Sequence, residues 1–245
     1  MKNYKLTIAY DGSRFHGWEK KPGQDTVQGR IENVLGRMCP NQEITLIGAG
    51  RTDAGVHAKG MVASVMFESA MSDLEIRDYL NEYLPEDIGI KEVKEASERF
   101  HARYCAVGKT YRYTCYAGKV NTVFDRKYYS KLEKMPNLEK MKEAAELLLG
   151  KHDFRGFSNV GKTKKSTIRR VDKIEIRQKG DYLYFTFHGK GFLRNMVRIM
   201  VGSLLEVGFY EKSPESMVEV LEKKDRSLAG PSAPAKGLCL IEVEY

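Results

Sequence analysis

The sequence has little cysteine, and its cysteines are widely spaced. The four of them, Cys39, Cys105, Cys115 and Cys239, form no CxxC pair. This argues against a zinc ribbon and against the disulfide framework of a small secreted domain. We therefore expect a protein of a reducing compartment, the cytoplasm.

Long apolar runs are also missing. The opening residues MKNYKLTIAYDGSRF contain no stretch long enough for a signal peptide, and no later segment approaches the length of a membrane span. Hydrophobic residues nevertheless make up 42% of the chain, which is enough for a sizeable core. The composition predicts a soluble protein without a membrane partner.

The histidines and carboxylates form no recognisable metal site. None of the five histidines lies three or four residues from another, and Asp53, in a glycine-rich segment, has no second acidic residue near it in the sequence. A single carboxylate binds Mg²⁺ poorly. Hydrolysis by a pair of carboxylates needs two such groups with separated pKa values. We therefore expect no bound metal, and an isolated aspartate favours a nucleophile or a single base.

An excess of basic charge is confined to one part of the chain. The net charge is +8, and residues 151–198 contain 13 basic and 4 acidic residues, against 28 and 29 in the rest of the sequence. A solvated surface usually intersperses both signs. The one-sided excess predicts a polyanionic partner, either nucleic acid, which we favour, or an acidic membrane surface.

The run GKTKKSTIRR, residues 161–170, lies between a predicted helix and a predicted strand. We interpret it as a loop that grips phosphates without reading sequence, although a solvated surface loop would have the same composition. The upstream segment GSRFHGWEKK, with Arg14, His16 and Trp18, would extend this surface. The candidate phosphate contacts are Arg14, Lys162, Lys164, Lys165, Arg169 and Arg170.

Hydrophobic periodicity predicts the order strand, helix, strand, strand, helix, strand in the first part of the chain. The four predicted strands are Lys5–Tyr10, Ile44–Gly48, Met61–Phe67 and Ile88–Val93. Thr26 begins one helix, and the capping box from Ser72 to Glu75 begins the other. The predicted buried stripe of this second helix is Leu74, Leu80, Tyr83 and Leu84. The order is that of a ferredoxin-like unit.

The second part of the chain repeats this order without obvious sequence identity. A long strand is predicted over Phe100–Tyr116, followed by a helix that ends at Gly150. Two further strands, an apolar helix and a last strand are predicted at Val171–Arg177, Tyr182–His188, Met196–Val207 and Leu238–Tyr245. We predict an α+β protein with two ferredoxin-like halves, residues 1–98 and 99–245. Their sheets would merge into a broad central antiparallel sheet with helices on one side and a basic cleft.

The segment GAGRTDAGVHA, Gly48 to Ala58, combines three glycines with one arginine and one aspartate. Asp53 beside glycine is compatible with an ordinary turn aspartate that bonds its own backbone. Arg51 and the flanking glycines, placed after a predicted buried strand, favour a functional loop instead. A phosphate-binding loop is disfavoured, because the Lys-Ser/Thr ending and an adjacent helix are missing.

The segments AGRTDAGVHA, GWEKKPGQDTVQGRIE and FLRNMVRIMVGSLLEVG together resemble the tRNA pseudouridine synthase A family over essentially the full length. The resemblance implies that Asp53 is the catalytic nucleophile and that Arg198, in the MVR motif, pairs with its carboxylate. It also implies that Tyr111 stacks against the target base and that Arg51 helps to displace it. The family is homodimeric.

The residue pattern leaves two of these roles open. In the strand KTYRYTCY, Tyr111 and Tyr113 share a face, so the pattern alone does not select between them, and the resemblance selects Tyr111. Arg198 lies in a segment that is apolar nearly all round, and a buried arginine needs a partner. Glu19 departs from the family, in which glutamine commonly follows the tryptophan.

The resemblance implies the isomerisation of uridine to pseudouridine at positions 38 to 40 of the tRNA anticodon stem–loop. This reaction transfers no electrons and no phosphate, so we expect no cofactor. Two alternatives remain: a synthase paralogue that acts on another RNA site, and a non-catalytic RNA-binding or RNA-folding module.

Overall fold

The structure, a computed structural model, describes residues 1–161 and 165–245. The predicted phosphate contacts Lys162 and Lys164 lie outside the described residues. The chain divides into two compact units. Unit 1 contains Met1–Val107 and Leu240–Tyr245, and unit 2 contains Gly108–Cys239.

Unit 1 is an antiparallel sheet with two helices. Its strands are β1 (Lys2–Tyr10), β2 (Ile47–Gly48), β3 (His57–Phe67) and β4 (Ile88–Ala96), and its helices are α1 (Val27–Met38) and α2 (Asp73–Tyr83). The sheet order is β4-β1-β3, with β2 paired to β3. The later residues of β11 (Leu238–Glu244) lie along β3, where Gly60 approaches the Ile241 carbonyl. This is the predicted ferredoxin-like order.

Local sequence signals explain where the two helices of unit 1 begin. Thr26 accepts a hydrogen bond from the Gly29 N–H at the start of α1. Ser72 and Glu75 form the predicted capping box of α2. Each cap satisfies backbone N–H groups that have no partner within the helix.

The predicted buried stripe of α2 is wrong at two positions. Leu74 is 62% exposed and Tyr83 is 56% exposed, whereas Ile76 and Leu80 are fully buried. Leu84 is buried, as predicted. The packed face of α2 therefore runs through Ile76 rather than through Leu74.

Strand β2 is shorter than predicted, because side chains of α1 hydrogen-bond to the backbone of Leu46, the residue before it. The Leu46 N–H donates to Glu32 Oε1 at 3.0 Å, and Gln28 Nε2 donates to the Leu46 carbonyl at 3.0 Å. Side chains of the helix thus satisfy backbone groups that a longer strand would have paired with its neighbour.

Unit 2 contains a three-stranded antiparallel sheet in the order β5-β10-β9, with β6 beside β5. These strands are β5 (Gly108–Tyr116), β6 (Ser130–Lys131), β9 (Lys173–Lys179) and β10 (Tyr182–Gly189). A separate pair consists of β7 (Gly150–Asp153) and β8 (Ile168–Val171). The helices are α3 (Leu138–Glu146), α4 (Met196–Gly208) and α5 (Ser216–Lys223). The inward residues Leu183, Phe185 and Phe187 are fully buried.

The predicted long strand over Phe100–Tyr116 begins only at Gly108. Residues before it fold against unit 1: the Ala102 N–H donates to Ser64 Oγ at 3.2 Å, and the Tyr245 hydroxyl donates to the Ala102 carbonyl at 2.7 Å. Unit 1 therefore extends to Val107, beyond residue 98, where the sequence pattern placed the division between the halves.

Both units combine helices with antiparallel strands, which confirms the α+β class. Among the described residues, no helix has the length and apolar character needed to cross a bilayer. The residues that the structure describes also contain no group of three His, Cys, Asp or Glu side chains that could hold a metal ion.

Candidate active site

The loop from Ala49 to Val56, which carries Asp53, is held by the backbone of a second segment, Asp11–Trp18. We call this second segment the clamp. The Trp18 N–H donates to the Thr52 carbonyl at 3.1 Å, and the Gly55 N–H donates to the Phe15 carbonyl at 3.3 Å. Because main-chain bonds join the two segments, the backbone itself contributes to fixing the position of the loop.

The clamp approaches the loop so closely that two of its residues must be glycine. A Cβ on Gly12 would overlap the Val56 carbonyl. A Cβ on Gly17 would lie 2.6 Å from the Thr52 carbonyl oxygen, and the φ of Gly17 is 97°, a left-handed conformation that favours glycine. Glycine therefore permits the contact that fixes the loop.

Two aromatic side chains of the neighbouring segment, Trp18 and Tyr10, pack or hydrogen-bond at the loop and the strand before it. Trp18 is 2% exposed and packs on Gly48, where a Cβ would lie 2.5 Å from the indole nitrogen. The Tyr10 hydroxyl and Thr52 Oγ1 form a buried hydrogen bond of 2.8 Å. The prediction that Trp18 extends an exposed RNA surface is wrong, because its indole is buried by this packing.

His57 joins the end of the loop to the clamp. Its Nδ1 accepts the Gly12 N–H at 3.0 Å and lies 3.2 Å from Asp11 Oδ1. A nitrogen that accepts a backbone N–H carries no proton, so the Gly12 bond corresponds to the neutral ring with the proton on Nε2.

Asp53 lies at the turn of this fixed loop and is partly exposed. Its carbonyl accepts the Val56 N–H at 3.2 Å, and Gly55, with a φ of 77°, reverses the chain. The residue before it, Thr52, is buried. A carboxylate between a buried anchor and a glycine turn is presented by rigid backbone, as catalytic groups on scaffolded loops are.

Arg51 projects from the same loop and pairs with Glu19. Its Nη2 lies 2.5 Å from Glu19 Oε1, and the arginine side chain is 65% exposed. Glu19, at which the sequence departs from the family pattern, thus contacts Arg51 of the motif. The pair is exposed to solvent, so its contribution to stability is small.

In unit 2, Tyr111 and Tyr113 lie on the same face of β5 but differ in their surroundings. Tyr111 is 8% exposed and contacts Phe192 edge to face at 5.4 Å. Tyr113 is fully buried, and its hydroxyl donates to the Pro234 carbonyl at 2.8 Å. Burial raises the pKa of Tyr113 well above the ordinary tyrosine range. Tyr113 is therefore a neutral structural tyrosine, and Tyr111 retains the more accessible ring.

Arg198 lies near the start of α4 and is partly buried. Its Nε donates to the Ala233 carbonyl at 2.7 Å, and the Ala233 N–H donates to the Arg198 carbonyl at 3.0 Å. The helix packs so tightly here that a Cβ on Gly202 would overlap the Pro231 carbonyl. The reciprocal bonds fix the orientation of the guanidinium plane.

The candidate phosphate contacts that the structure describes differ in their ion-pair and hydrogen-bond partners. Arg14 pairs with Asp87, and Arg170 pairs with Asp172 at 2.7 Å. Arg169 Nη1 donates to the carbonyls of Ser166 and Ile168. Lys165 is exposed. Arg14 and Arg170 would each have to exchange an aspartate for a phosphate in order to contact RNA.

The structure brings Arg51 and Asp53 together on one loop of unit 1, and it places Tyr111 and Arg198 in unit 2. Sequence reasoning missed Tyr10, Gly12 and His57, which position the loop. The His57 signal was present in the motif itself, but its partner Gly12 lies 45 residues earlier, and no local pattern reveals such a contact.

Comparisons with known proteins show the family to which the chain belongs. A family model described as tRNA pseudouridine synthase matches residues 6–105 and 144–245. The tRNA pseudouridine synthase A of Bacillus sp. (strain KSM-64) is 45% identical over 246 residues, and the tRNA pseudouridine synthase A 2 of Bacillus anthracis is 44% identical over 246 residues. Each alignment covers 100% of both chains.

A relative from another genus gives the same result. The tRNA pseudouridine synthase A 2 of Clostridium perfringens (strain 13 / Type A) is 40% identical over 245 residues, with 100% of both chains covered. Among solved structures, a Cbf5-Nop10-Gar1 complex matches 96% of this chain and 57% of its own chain at 12% identity, with a TM-score of 0.37. The chain belongs to the tRNA pseudouridine synthase family, whose members are isomerases that convert uridine to pseudouridine.

Proposed function

We propose that this protein isomerises uridine to pseudouridine at positions 38 to 40 of the tRNA anticodon stem–loop, with Asp53 as the nucleophile. The observation that carries the proposal is the fixed presentation of Asp53 on a loop that the clamp holds through its main chain. A nucleophile must be held within a narrow range of geometry to react, and rigid backbone provides this.

The reaction breaks one bond and forms another within a single nucleotide. The glycosidic bond from C1′ to N1 breaks, the uracil rotates, and C1′ bonds to C5. The proton at C5 is lost and N1 gains one, so the product is an isomer and no co-reactant is consumed. The carboxylate of Asp53 attacks and leaves in turn, which divides the exchange into two easier steps.

Arg198 is proposed to keep this carboxylate charged and oriented. Desolvation by bound RNA disfavours an anion, and an adjacent guanidinium offsets that cost. The Ala233 carbonyl accepts a hydrogen bond from Nε of Arg198 and thereby fixes the plane of the guanidinium group. Planar orientation favours two parallel bonds to a carboxylate.

Tyr111 and Arg51 are proposed to handle the displaced base. An enzyme that acts on a base in an RNA stem must unstack it and offer another surface. The Tyr111 ring, held edge to face by Phe192, is a flat surface of this kind. Arg51 is exposed on the loop of Asp53 and has the length to fill the vacated space.

The wider surface is proposed to hold the tRNA. Arg14, Lys162, Lys164, Lys165, Arg169 and Arg170 would neutralise phosphates and give salt-dependent affinity. We propose further that the protein is a cytoplasmic homodimer, as the family resemblance implies.

A second candidate is a paralogue with another RNA target. Relatives of almost equal identity are named both tRNA pseudouridine synthase A and tRNA pseudouridine synthase A 2. Overall identity therefore does not distinguish the two kinds of relative, and the Asp53 loop would be the same in both.

Mapping pseudouridine in RNA tests the proposal. Purified protein is incubated with unmodified tRNA, and RNA from cells with and without the gene is sequenced for pseudouridine. Product at positions 38 to 40 with wild type, and none with Asp53→Ala, supports the proposal. Product at other sites indicates the paralogue, and tight binding without product indicates a non-catalytic RNA-binding module.

A further inference from the structure

A short turn between β4 and β5, residues Arg99–Tyr104, carries a stacked pair of rings, of which the Tyr104 ring is exposed. We call it the aromatic turn. The rings of His101 and Tyr104 stack with centroids 4.2 Å apart and planes 28° apart. Tyr104 is 76% exposed, so one face of its ring rests on the imidazole while the other is open to solvent. A flat ring with one open face is the arrangement that stacks nucleic-acid bases.

The imidazole under this ring is fixed by the backbone of the turn. His101 Nδ1 accepts the N–H groups of Arg103 and Tyr104, each at 3.2 Å. The Cys105 N–H donates to the His101 carbonyl at 3.0 Å. A ring supported in this way loses little conformational freedom when a base stacks on it, so little affinity is lost to ordering.

The turn is also anchored to the sheet of unit 1. Ala102 is fully buried, its N–H donates to Ser64 Oγ on β3, and its carbonyl accepts the Tyr245 hydroxyl. Ser64 follows His57 by seven residues, about 23 Å along an extended strand. The aromatic turn therefore lies away from the Asp53 loop and would contact a nucleotide other than the target uridine.

Two exposed arginines, Arg99 and Arg103, precede Tyr104 in the turn. Neither Arg99 nor Arg103 forms an ion pair with any residue that the structure describes. Of the other arginines in unit 1, Arg30 pairs with Asp25 at 2.6 Å and Arg77 with Asp78 at 2.7 Å, whereas the exposed Arg37 also has no ion pair among the described residues. Cations without carboxylate partners are available for phosphates without the cost of breaking an ion pair.

We infer that the aromatic turn is a second tRNA-binding site, in which a base outside the active site stacks on Tyr104 while Arg99 and Arg103 contact phosphates. This inference rests on the proposed function, because tRNA is the RNA in question. It adds a point of contact that fixes the position of the stem–loop relative to unit 1.

The chain contains a matched control at Tyr83. This tyrosine is 56% exposed and its ring lies 4.6 Å from that of Tyr79, so it too is an exposed ring on an aromatic neighbour. Its neighbours in the sequence include Glu82 and Glu86. These carboxylates would repel RNA, so Tyr83 has the stacking geometry without the favourable charge.

The experiment measures the Kd of labelled tRNA for the full chain by fluorescence anisotropy. Tyr104→Ala weakens binding roughly 5- to 150-fold, the range seen for loss of one stacked base. Tyr104→Phe keeps the affinity within about twofold, because phenylalanine also stacks, and Tyr83→Ala matches wild type. Arg103→Ala lowers the slope of log Kd against log salt by about 1, whereas Tyr104→Ala leaves the slope unchanged.

The outcomes separate this inference from the proposed function. Any one of three results overturns the aromatic turn as an RNA site. Tyr104→Ala binds tRNA with unchanged affinity, Tyr83→Ala weakens binding equally, or Tyr104→Ala has an altered sedimentation coefficient. Pseudouridine formation can still proceed in that case. Conversely, Tyr104-dependent tRNA binding by a wild-type protein that forms no pseudouridine supports the aromatic turn and rejects the proposed function.

Discussion

The loop that carries Asp53 and the helix that carries Arg198 are held in place by different means. The loop is bound through its main chain to the clamp, at points where Gly12 and Gly17 leave no room for a side chain. The helix packs on a neighbouring segment, and the Ala233 carbonyl accepts a hydrogen bond from Nε of the arginine.

This difference shows which changes each region tolerates. The loop depends on backbone contact, so an added methyl group displaces it even though no functional atom is altered. The proposed role of Arg198 depends on the charge and shape of its side chain. We therefore expect its replacement to leave α4 in place and to remove only that role. Substitutions in the two regions test these two kinds of dependence, beginning with the largest effect.

Arg198→Ala is expected to lower kcat about 10²- to 10³-fold, the range for removing one preorganised charge-stabilising group. The Kd for tRNA should change less than about threefold, because one contact among many is lost. Single-turnover rates and anisotropy measure the two quantities. Arg198→Lys keeps the charge without the planar fork and should recover part of the rate. Equal losses in rate and affinity would contradict a role in turnover.

Gly12→Ala is expected to lower the free energy of unfolding by about 1–3 kcal/mol, the usual cost of overpacking a buried position. The added Cβ overlaps the Val56 carbonyl and must push the loop aside. Urea denaturation measures the change, and kcat should fall with it.

The control for this variant is Gly36→Ala on α1, where an added Cβ meets nothing within 4 Å. It should stabilise the protein by up to about 1 kcal/mol, because alanine favours a helix. If Gly12→Ala were as harmless as Gly36→Ala, the clamp would not position the loop.

Tyr10→Phe removes the buried hydrogen bond to Thr52 while preserving the ring. The free energy of unfolding should fall by about 1 kcal/mol, which is typical of one such bond. Thermal and urea unfolding check the value. A loss above about 3 kcal/mol would show that Tyr10 supports the loop through more than this bond.

Glu19→Gln is expected to have the smallest effect on stability, less than about 1 kcal/mol, because the Arg51 pair is exposed. It should tighten tRNA binding modestly, since it removes a negative charge beside a cation proposed to contact RNA. Anisotropy at low and high salt measures the change. Weaker binding by Glu19→Gln would show that the carboxylate assists RNA contact.

The sequence predicted those elements whose signals are local. The capping box of α2 needs only Ser72 and Glu75, three residues apart, and it is found as predicted. The order of strands and helices in unit 1 follows from hydrophobic periodicity in the same way. Local patterns are therefore sufficient to predict the ferredoxin-like order of unit 1.

Features that depend on distant contacts were not predictable. The exposure of Leu74 depends on which elements pack against α2, and the shortening of β2 depends on Gln28 and Glu32 of α1. The burial of Trp18 follows from its contact with Gly48, 30 residues later in the chain. The motif identified Asp53 as a candidate, but nothing in it reveals the clamp.

The most direct test of the nucleophile is the single-turnover rate of Asp53→Asn with saturating tRNA, measured together with the Kd. Asparagine preserves the shape of the side chain and removes its charge. Asp78→Asn, at an exposed carboxylate paired with Arg77, is the matched control and should behave as wild type. We predict that Asp53→Asn binds tRNA with nearly unchanged Kd and forms pseudouridine at least roughly 10³-fold more slowly. Pseudouridine formation by Asp53→Asn at the wild-type rate would contradict the role of Asp53.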